Sequence, residues 1–172
     1  PLNRMNAKIF TSNGTMPLKI IGNDLIAKKF DLKIPSAQIK SGILLASLNT
    51  KGETFITENK VTRNHTEIML KSFGAHINIQ NTENRKLIKI TGEKELFSKN
   101  IDVPCDLSSS AFFIVAAIIN DNSNITLCNI NINPTRNGIL IALEKMGAEI
   151  NYYNKRTSNN EKVCDIEIRN SK

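Results

Sequence analysis

The sequence contains no tryptophan, and aromatic residues make up only 5% of its 172 positions. Proteins that bind single-stranded nucleic acid stack the bases on aromatic side chains, and few are available here. The net charge of +7 favours anionic partners, but the basic residues are scattered and form only pairs such as Lys28-Lys29 and Lys155-Arg156. The composition therefore argues against a nucleic-acid module and leaves small phosphorylated metabolites or an acidic membrane surface as alternatives.

Cysteine is also scarce. Cys105, Cys128 and Cys164 are widely spaced, they form no CxxC pair, and the two histidines, His65 and His76, lie eleven residues apart. This pattern argues against a disulfide framework and against a zinc site, and it fits a reducing compartment. We therefore predict a cytoplasmic protein without a bound metal.

Long apolar runs are missing. The longest, Ala111 to Ile119, is too short to span a bilayer, and no charged-then-apolar leader stands at the start. These features predict a protein that does not associate with membranes. The chain starts at Pro1 rather than Met, and its first five residues resemble the end of a helix. We expect it to be a piece of a longer protein.

An internal repeat organises the chain. Three segments end a helix and begin a strand in the same way, with Asn6, Gly74 or Gly147 where a left-handed residue ends a helix. Before the last two copies stand the triplets Thr62-Arg63-Asn64 and Thr135-Arg136-Asn137, at an offset of 73 residues. A period this long is not that of a solenoid and indicates duplicated α/β subdomains.

The hydrophobic pattern predicts the same elements in both units. In the first unit these are helices Ser36–Asn49 and His65–Phe73, with strands Glu53–Thr57, Ala75–Gln80 and Lys86–Thr91 and a turn at Asn81–Asn84. In the second they are helices Ser109–Ile119 and Arg136–Met146, with strands Asn124–Cys128, Ala148–Tyr153 and Val163–Ile168, after an extended crossover at Asn100–Pro104. The first helix of each unit is apolar on all sides. The predicted fold is α/β (α+β), with repeated βαβαββ-type subdomains whose sheets pack around buried helices.

One helix start carries polar residues that suit an anion. Ser36, Ala37 and Gln38 open the apolar helix that follows Pro35. The free amides of a first helical turn and the helix dipole favour a phosphate or carboxylate there. A simple serine cap explains the same residues. The 73-residue offset places Ser109 opposite Ser36, each at the start of an apolar helix. The residues alone leave both readings open.

Arg63 is the second candidate, because its planar guanidinium suits phosphate and it precedes a helix. A solvated arginine is the alternative. Thr62, Asn64 and Glu67 resemble cap and first-turn residues, and His65 is interpreted as structural. Arg136 repeats Arg63, and Asp106 with the serines after it is interpreted as another cap cluster. No nucleophile–base pair and no glycine-rich nucleotide loop occurs.

Three long segments carry a family resemblance. PSAQIKSGILLASLNTKGETFITENKVTRNHTEIMLKSFGA, IDVPCDLSSSAFFIVAAII and NPTRNGILIALEKMGAEI together resemble the 5-enolpyruvylshikimate-3-phosphate synthase family, also called 3-phosphoshikimate 1-carboxyvinyltransferase. The S-A-Q form is similar to the glyphosate-tolerant branch. Cys105 departs from the glycine that is usual in the family's P-G-D segment.

The resemblance implies a fold, a site and a reaction. Ser36, Ala37, Gln38 and Arg63 would hold shikimate 3-phosphate, and the family transfers the enolpyruvyl group of phosphoenolpyruvate to its 5-hydroxyl without metal or organic cofactor. This is a transferase reaction of the shikimate pathway, in aromatic amino-acid biosynthesis. Residues 1–103 would be the latter part of the N-terminal lobe and residues 104–172 the first subdomain of the C-terminal lobe.

The resemblance also implies that part of the active site lies outside this chain. A Lys-Ser loop and a Lys-Arg-Pro segment would precede Pro1, and the catalytic Asp and Glu would follow Lys172. We therefore expect no catalytic residue in this chain, no product from it alone, and missing parts of the same, monomeric enzyme as its partners. The alternatives are a non-catalytic or degenerate phosphometabolite-binding fragment and a relative that acts on a UDP-amino sugar, UDP-N-acetylglucosamine.

Overall fold

The computed structural model describes residues 1–83 and 85–171. The chain divides into two compact units, Pro1–Lys99 and Asn100–Lys172. The predicted turn at Asn81–Asn84 includes Asn84, and the predicted second lobe ends at Lys172; both of these residues lie outside the described part of the chain.

Unit 1 begins with a 3-10 turn at Leu2–Met5, and its described residues form six strands and two helices. The strands are β1 (Lys8–Ser12), β2 (Thr15–Ile21), β3 (Lys29–Leu32), β4 (Glu53–Glu58), β5 (His76–Asn81) and β6 (Lys86–Thr91). The helices are α1 (Ala37–Leu48) and α2 (His65–Ser72). The predicted helices and the last three strands are confirmed to within two residues at each end, whereas β2 and β3 were not predicted.

The main sheet of unit 1 has the strand order β3-β4-β6-β5. β3 pairs with β4 in parallel, and the other two pairs are antiparallel. β1 and β2 form a separate antiparallel hairpin. In the β4–β6 pair, Glu58 at the C-terminal end of β4 stands opposite Lys86 at the start of β6, so two opposite charges lie side by side.

Helix α1 starts at a serine cap and buries one face against the sheet. Ser36 has an extended backbone, and its Oγ accepts a hydrogen bond from the Ile39 amide at 3.3 Å, which confirms the cap interpretation. Ile43 and Leu44 are fully buried in the same cluster as strand residues such as Ile56. Burial of a side chain of this size contributes about 2 kcal/mol before entropy is counted.

Unit 2 repeats this plan with a smaller sheet. Its helices are α3 (Leu107–Ile119) and α4 (Gly138–Lys145), and its strands are β7 (Asn124–Asn131), β8 (Ile150–Ser158) and β9 (Glu161–Arg169). The strand order is β7-β9-β8, all antiparallel. Where unit 1 has β3, unit 2 has a parallel bridge from Cys105 to Ile130. The register of the β7–β9 pair shifts between Leu127 and Ile130, next to this bridge.

Helix α3 begins two residues before its predicted start. Its cap is Asp106, whose Oδ2 accepts hydrogen bonds from the Ser109 amide at 3.0 Å and from the Ser109 hydroxyl at 3.1 Å. The interpretation of Asp106 and the serines after it as a cap cluster is therefore confirmed, whereas the alignment of Ser109 with Ser36 is wrong, because Ser109 lies inside the first turn of α3. A carboxylate is a better first-turn acceptor than a hydroxyl, because it interacts favourably with the helix dipole.

The apolar surface of α3 is covered on one face only within unit 2. Leu107, Ile114 and Ala117 are buried against the sheet, whereas Phe112 is 79% and Ile119 is 71% exposed. A single three-stranded sheet faces this helix in the unit, and a helix that is apolar all round needs more than one covering layer. We predicted that this helix would be covered on several sides; within unit 2, one side is covered.

The predicted left-handed residues are confirmed at all three helix ends. The φ angle is 73° at Asn6, 88° at Gly74 and 95° at Gly147. The backbone amide of Ala75 then bonds to the Leu70 carbonyl, as expected where a left-handed residue closes a helix. Asn13 and Gly14, with φ of 51° and 82°, form the tight turn between β1 and β2.

Gly92 is required because the backbone packs against it. A Cβ atom at this position would lie 2.0 Å from the Thr50 carbonyl oxygen and 2.3 Å from that of Ser47. We expect Gly92→Ala to lower the free energy of unfolding of unit 1 by about 3 kcal/mol, since the obstacle is backbone. Gly138→Ala is the control: its Cβ would meet nothing within 4 Å, and it should leave stability unchanged or raise it by up to about 1 kcal/mol. Urea unfolding followed by circular dichroism measures both, and equal losses would contradict the packing argument.

Asp106 makes the stability of unit 2 depend on pH. Burial acts to raise the pKa of this carboxyl, but hydrogen bonds from the Ser109 and Ser108 amides, the Ser109 hydroxyl and Arg136 outweigh it, so its pKa lies below the ordinary value. A carboxyl with a lowered folded pKa stabilises the fold above its unfolded pKa, about 4, and this stability is lost as pH falls through the folded pKa.

We therefore expect Asp106→Asn to lower the melting temperature at pH 6 and to have little effect near pH 2. Thermal unfolding of both proteins between pH 2 and pH 7 measures the difference. A gap in melting temperature that stays constant over this range would contradict the role of the Asp106 charge.

Candidate functional site

The first turn of α1 presents backbone donors that the protein leaves open. Ser36 is half-buried and uses its hydroxyl to cap the Ile39 amide. Within residues 1–83 and 85–171, no hydrogen bond is made by the amides of Ala37 and Gln38, as expected at a helix start. The Gln38 side chain is exposed. This turn therefore combines two backbone donors, a hydroxyl and a side-chain amide at the positive end of a helix dipole.

Arg63 lies in the irregular segment between β4 and α2. Its side chain is half-buried, and it makes no ion pair or hydrogen bond with any other residue that the structure describes. A guanidinium group has five donors in a planar fork, and partial burial makes an unpaired fork unusual. Arg63 is therefore available to a ligand anion.

Two contacts join the first turns of α1 and α2. The hydroxyls of Ser41 and Thr66 are hydrogen bonded at 2.7 Å, and Lys40 Nζ lies 2.9 Å from Glu67 Oε1. Gln38 lies two residues before Lys40, and Arg63 lies two residues before the start of α2 at His65. The predicted binding residues thus lie close in sequence to the two helix starts that these contacts join.

Beneath this junction lies a buried charge cluster, formed by Lys40, Glu58, Glu67 and Lys86. All four residues are at most 5% exposed. Lys40 Nζ is 3.1 Å from Glu58 Oε2 and 2.9 Å from Glu67 Oε1, and Lys86 Nζ is 3.0 Å from Glu67 Oε1. The two positive and two negative charges balance. Removal of one member from such a cluster costs about 3–5 kcal/mol, because it leaves a buried charge unpaired.

The charge cluster was not predicted from the sequence, although a signal exists. Glu58 follows Thr54 and Ile56 on the buried face of β4, and Glu67 lies with Leu70 on the buried face of α2. Thr62, Asn64 and Glu67 are predicted to be cap and first-turn residues. Glu67 lies in the first turn of α2 and Asn64 stands at its N-cap position, whereas the interpretation is wrong for Thr62. Thr62 donates a hydrogen bond to Glu58 Oε1, and Glu67 belongs to the charge cluster. The Asn64 side chain makes no cap hydrogen bond to α2.

Unit 2 fills the corresponding place with its own carboxylate. Both Ser36 and Asp106 cap the first helix of their unit. Arg136, the repeat of Arg63, donates to Asp106 Oδ1 at 3.2 Å and to the Ser108 hydroxyl. In unit 2 the Asp106 carboxylate therefore pairs with Arg136, whereas Arg63, the equivalent arginine of unit 1, has no such partner among the described residues.

The remaining candidates have structural surroundings. His65 is the first residue of α2 and is partnered within the protein. In the part of the chain that the structure describes, no three His, Cys, Asp or Glu side chains are grouped to hold a metal ion. No helix there is long and apolar enough to cross a membrane. The cysteines Cys105, Cys128 and Cys164 are all free thiols.

Comparisons with known proteins give a consistent result. Residues 1–171 match the family model described as EPSP synthase (3-phosphoshikimate 1-carboxyvinyltransferase). A protein of that name from Thermoanaerobacter sp. (strain X514) is 44% identical over all of this chain and 40% of its own length. One from Ruthia magnifica subsp. Calyptogena magnifica is 46% identical over 98% of this chain and 38% of its own length.

Solved structures give the same result. EPSP synthase from Acinetobacter baumannii superimposes with a TM-score of 0.83 at 42% identity, over 98% of this chain and 38% of that one. The enolpyruvyl transferase NikO from Streptomyces tendae superimposes with a TM-score of 0.64 at 16% identity, over 98% of this chain and 40% of that one, which is a likeness of fold alone.

The chain spans about 40% of the length of these curated relatives. The predicted fold class is confirmed by the mixed α/β architecture and by these structural neighbours. The family model covers almost every residue, and the identities exceed 40%. The chain belongs to the EPSP synthase (3-phosphoshikimate 1-carboxyvinyltransferase) family.

Proposed function

We propose that this chain supplies the shikimate 3-phosphate site of an EPSP synthase, the enzyme that transfers the enolpyruvyl group of phosphoenolpyruvate to the 5-hydroxyl of shikimate 3-phosphate. Family membership and the open donors around α1 support this proposal. Residues 1–103 belong to the N-terminal lobe of that enzyme and residues 104–172 to its C-terminal lobe. The free cysteines support a cytoplasmic location.

Four residues form the proposed binding site. The Ser36 hydroxyl and the Ala37 amide donate to the phosphate, and the Gln38 side chain bonds to a hydroxyl of the ring. Arg63 approaches the same substrate with its guanidinium fork, which can donate two parallel hydrogen bonds to an oxyanion. A helix start and an arginine together supply positive potential without a metal ion.

One observation carries the proposal: the same arginine is paired in one unit and open in the other. Arg136 is neutralised by Asp106, whereas the residue that caps α1 is the uncharged Ser36. Unit 2 therefore demonstrates that this geometry suits a carboxylate beside the arginine. Unit 1 leaves the equivalent interaction to a ligand.

The chemical step is outside the role we assign to these residues. Addition of the 5-hydroxyl to phosphoenolpyruvate and elimination of phosphate require proton transfer and charge stabilisation. We assign no catalytic acid or base to this chain. Its contribution is to bind and orient one substrate, and the expectation that the 172 residues alone form no product stays a prediction.

Isothermal titration calorimetry with shikimate 3-phosphate tests the proposal. We expect the 172-residue chain to bind this ligand and Arg63→Ala to weaken binding by about 10- to 100-fold, because a charged hydrogen-bonding group is lost. Arg63→Lys should retain part of the affinity, since lysine keeps the charge but not the fork.

Arg85→Ala is the matched control, because Arg85 is an exposed arginine of the same unit and its loss changes the net charge equally. It should leave the affinity within about twofold. If Arg63→Ala and Arg85→Ala lose the same affinity, Arg63 contributes only general charge attraction, which would contradict the proposed contact. Tighter binding of UDP-N-acetylglucosamine than of shikimate 3-phosphate would instead favour the amino-sugar alternative.

A further inference from the structure

The polar contacts between α1 and α2 in unit 1 are replaced in unit 2. When the sequences of α1 and α3 are aligned at their cap residues, Ser36 and Asp106, Lys40 and Ser41 correspond to Ser110 and Ala111. When the helices that follow the repeated Thr-Arg-Asn triplets are aligned, Thr66 and Glu67 correspond to Ile139 and Leu140. The hydroxyl pair and the Lys40–Glu67 ion pair of unit 1 therefore have no counterparts in unit 2.

The strand end below the junction differs in the same way. In unit 1, Glu58 of β4 stands opposite Lys86 of β6. The pairs at the corresponding end of β7 and β9 are Ile130 with Cys164 and Asn131 with Val163, none of which is charged. The paired strand residues at this position thus change from charged in unit 1 to uncharged in unit 2.

The fold does not require the charge cluster. Unit 2 forms the same helix–sheet arrangement, with Leu140 buried where unit 1 has Glu67. Buried ion pairs contribute little net stability compared with apolar residues of similar volume, because the charges must be desolvated. A role in stability alone therefore does not explain why unit 1 keeps four buried charges.

One hydrogen bond connects the charge cluster to the proposed binding site. Thr62 immediately precedes Arg63, and its hydroxyl donates to Glu58 Oε1, while Glu58 Oε2 accepts from Lys40 Nζ at 3.1 Å. Lys40 lies on the first turns of α1, two residues after Gln38. A continuous chain of contacts thus runs from the neighbour of Arg63 to the helix start that presents the phosphate donors.

We propose that Thr62, Glu58 and Lys40 are positioning residues that fix Arg63 relative to the first turn of α1. This inference rests on the proposed function, because it assigns the geometry of that same site. Glu58 and Lys40 are buried and act through Thr62 and α1 without touching the ligand. Charged hydrogen bonds suit this task because they are directional and strong away from water.

The test removes the connecting hydroxyl without changing the side-chain shape. We expect Thr62→Val to weaken shikimate 3-phosphate binding about tenfold, as is typical when a group that orients a ligand-holding residue is lost. Thr62→Ser restores the hydroxyl and should stay within about twofold of wild type. Thr135→Val makes the same change at the repeat of Thr62 and should leave the affinity unaltered. Titrations are run at a temperature at which circular dichroism shows every variant folded.

Backbone ¹⁵N relaxation of residues 61–64 gives a readout that does not need the ligand. Thr62→Val should lower the order parameters of this segment, and Thr62→Ser should restore them. Thr62→Ala, which removes the same hydroxyl in a smaller side chain, is the second variant; it should lower the same order parameters and weaken binding, and it serves if Thr62→Val does not fold.

The outcomes separate the inference from the proposed function. Loosening of residues 61–64 together with weaker binding supports the positioning role. Unchanged order parameters in Thr62→Val, or loosening with unchanged affinity, overturns it, and so does a loss in Thr62→Ser equal to that in Thr62→Val. If the wild-type chain binds no shikimate 3-phosphate while Arg63 and its neighbours are ordered, the proposed function fails, and the relaxation data alone decide whether Thr62 positions the segment.

Discussion

Two carboxylates that are buried out of water constrain how two strands and two helices of unit 1 pack together. Glu58 and Glu67 lie at most 1% exposed, and a buried charge of this kind is tolerated only with close partners of opposite charge. Lys40 from α1 and Lys86 from β6 provide them at about 3 Å. Four elements are thereby joined at one point. The starts of both helices lie immediately above it, and these starts carry the proposed substrate-binding residues.

The two units illustrate how one plan serves different purposes. In both, an apolar helix packs on a sheet and a second helix follows a Thr-Arg-Asn triplet. Unit 2 satisfies its arginine internally, since Arg136 reaches the Asp106 carboxylate. Unit 1 caps the equivalent helix with an uncharged serine and leaves Arg63 open. The difference of one carboxylate thus separates a self-contained helix cap from a site that can take a ligand anion.

Local patterns in the sequence predict most of the architecture. The left-handed residues at Asn6, Gly74 and Gly147 fix where helices end, and β4 to β6 follow from alternation. β2 and β3 were missed because every residue of β2 is exposed and β3 has four residues, so neither shows a long alternation of buried and exposed positions, although Asn13-Gly14 is a strong hairpin signal. The start of α3 was misplaced because three serines compete with Asp106 as caps, and only the geometry shows which residue accepts the amide hydrogen bond.

The site could be predicted in part. Ser36, Ala37, Gln38 and Arg63 were singled out from helix-start chemistry and a family resemblance, and whether they bind substrate stays a prediction. The charge cluster could not be predicted, because its members lie far apart in the sequence and charged residues are ordinarily assigned to the surface. Their proximity depends on the β4–β6 register and on the packing of α1 against α2, which are tertiary contacts.

Titration of the ¹⁵N-labelled chain with shikimate 3-phosphate, followed by NMR, examines the open site most directly. The largest shift changes should occur at the amides of Ala37 and Gln38 and at the Nε–H of Arg63. The signals of the amides at the start of α3 and of the Nε–H of Arg136 should not shift, because Arg136 is already paired with Asp106. Equal shift changes at both helix starts, or saturable changes confined to other residues, would contradict the assignment of the site to unit 1.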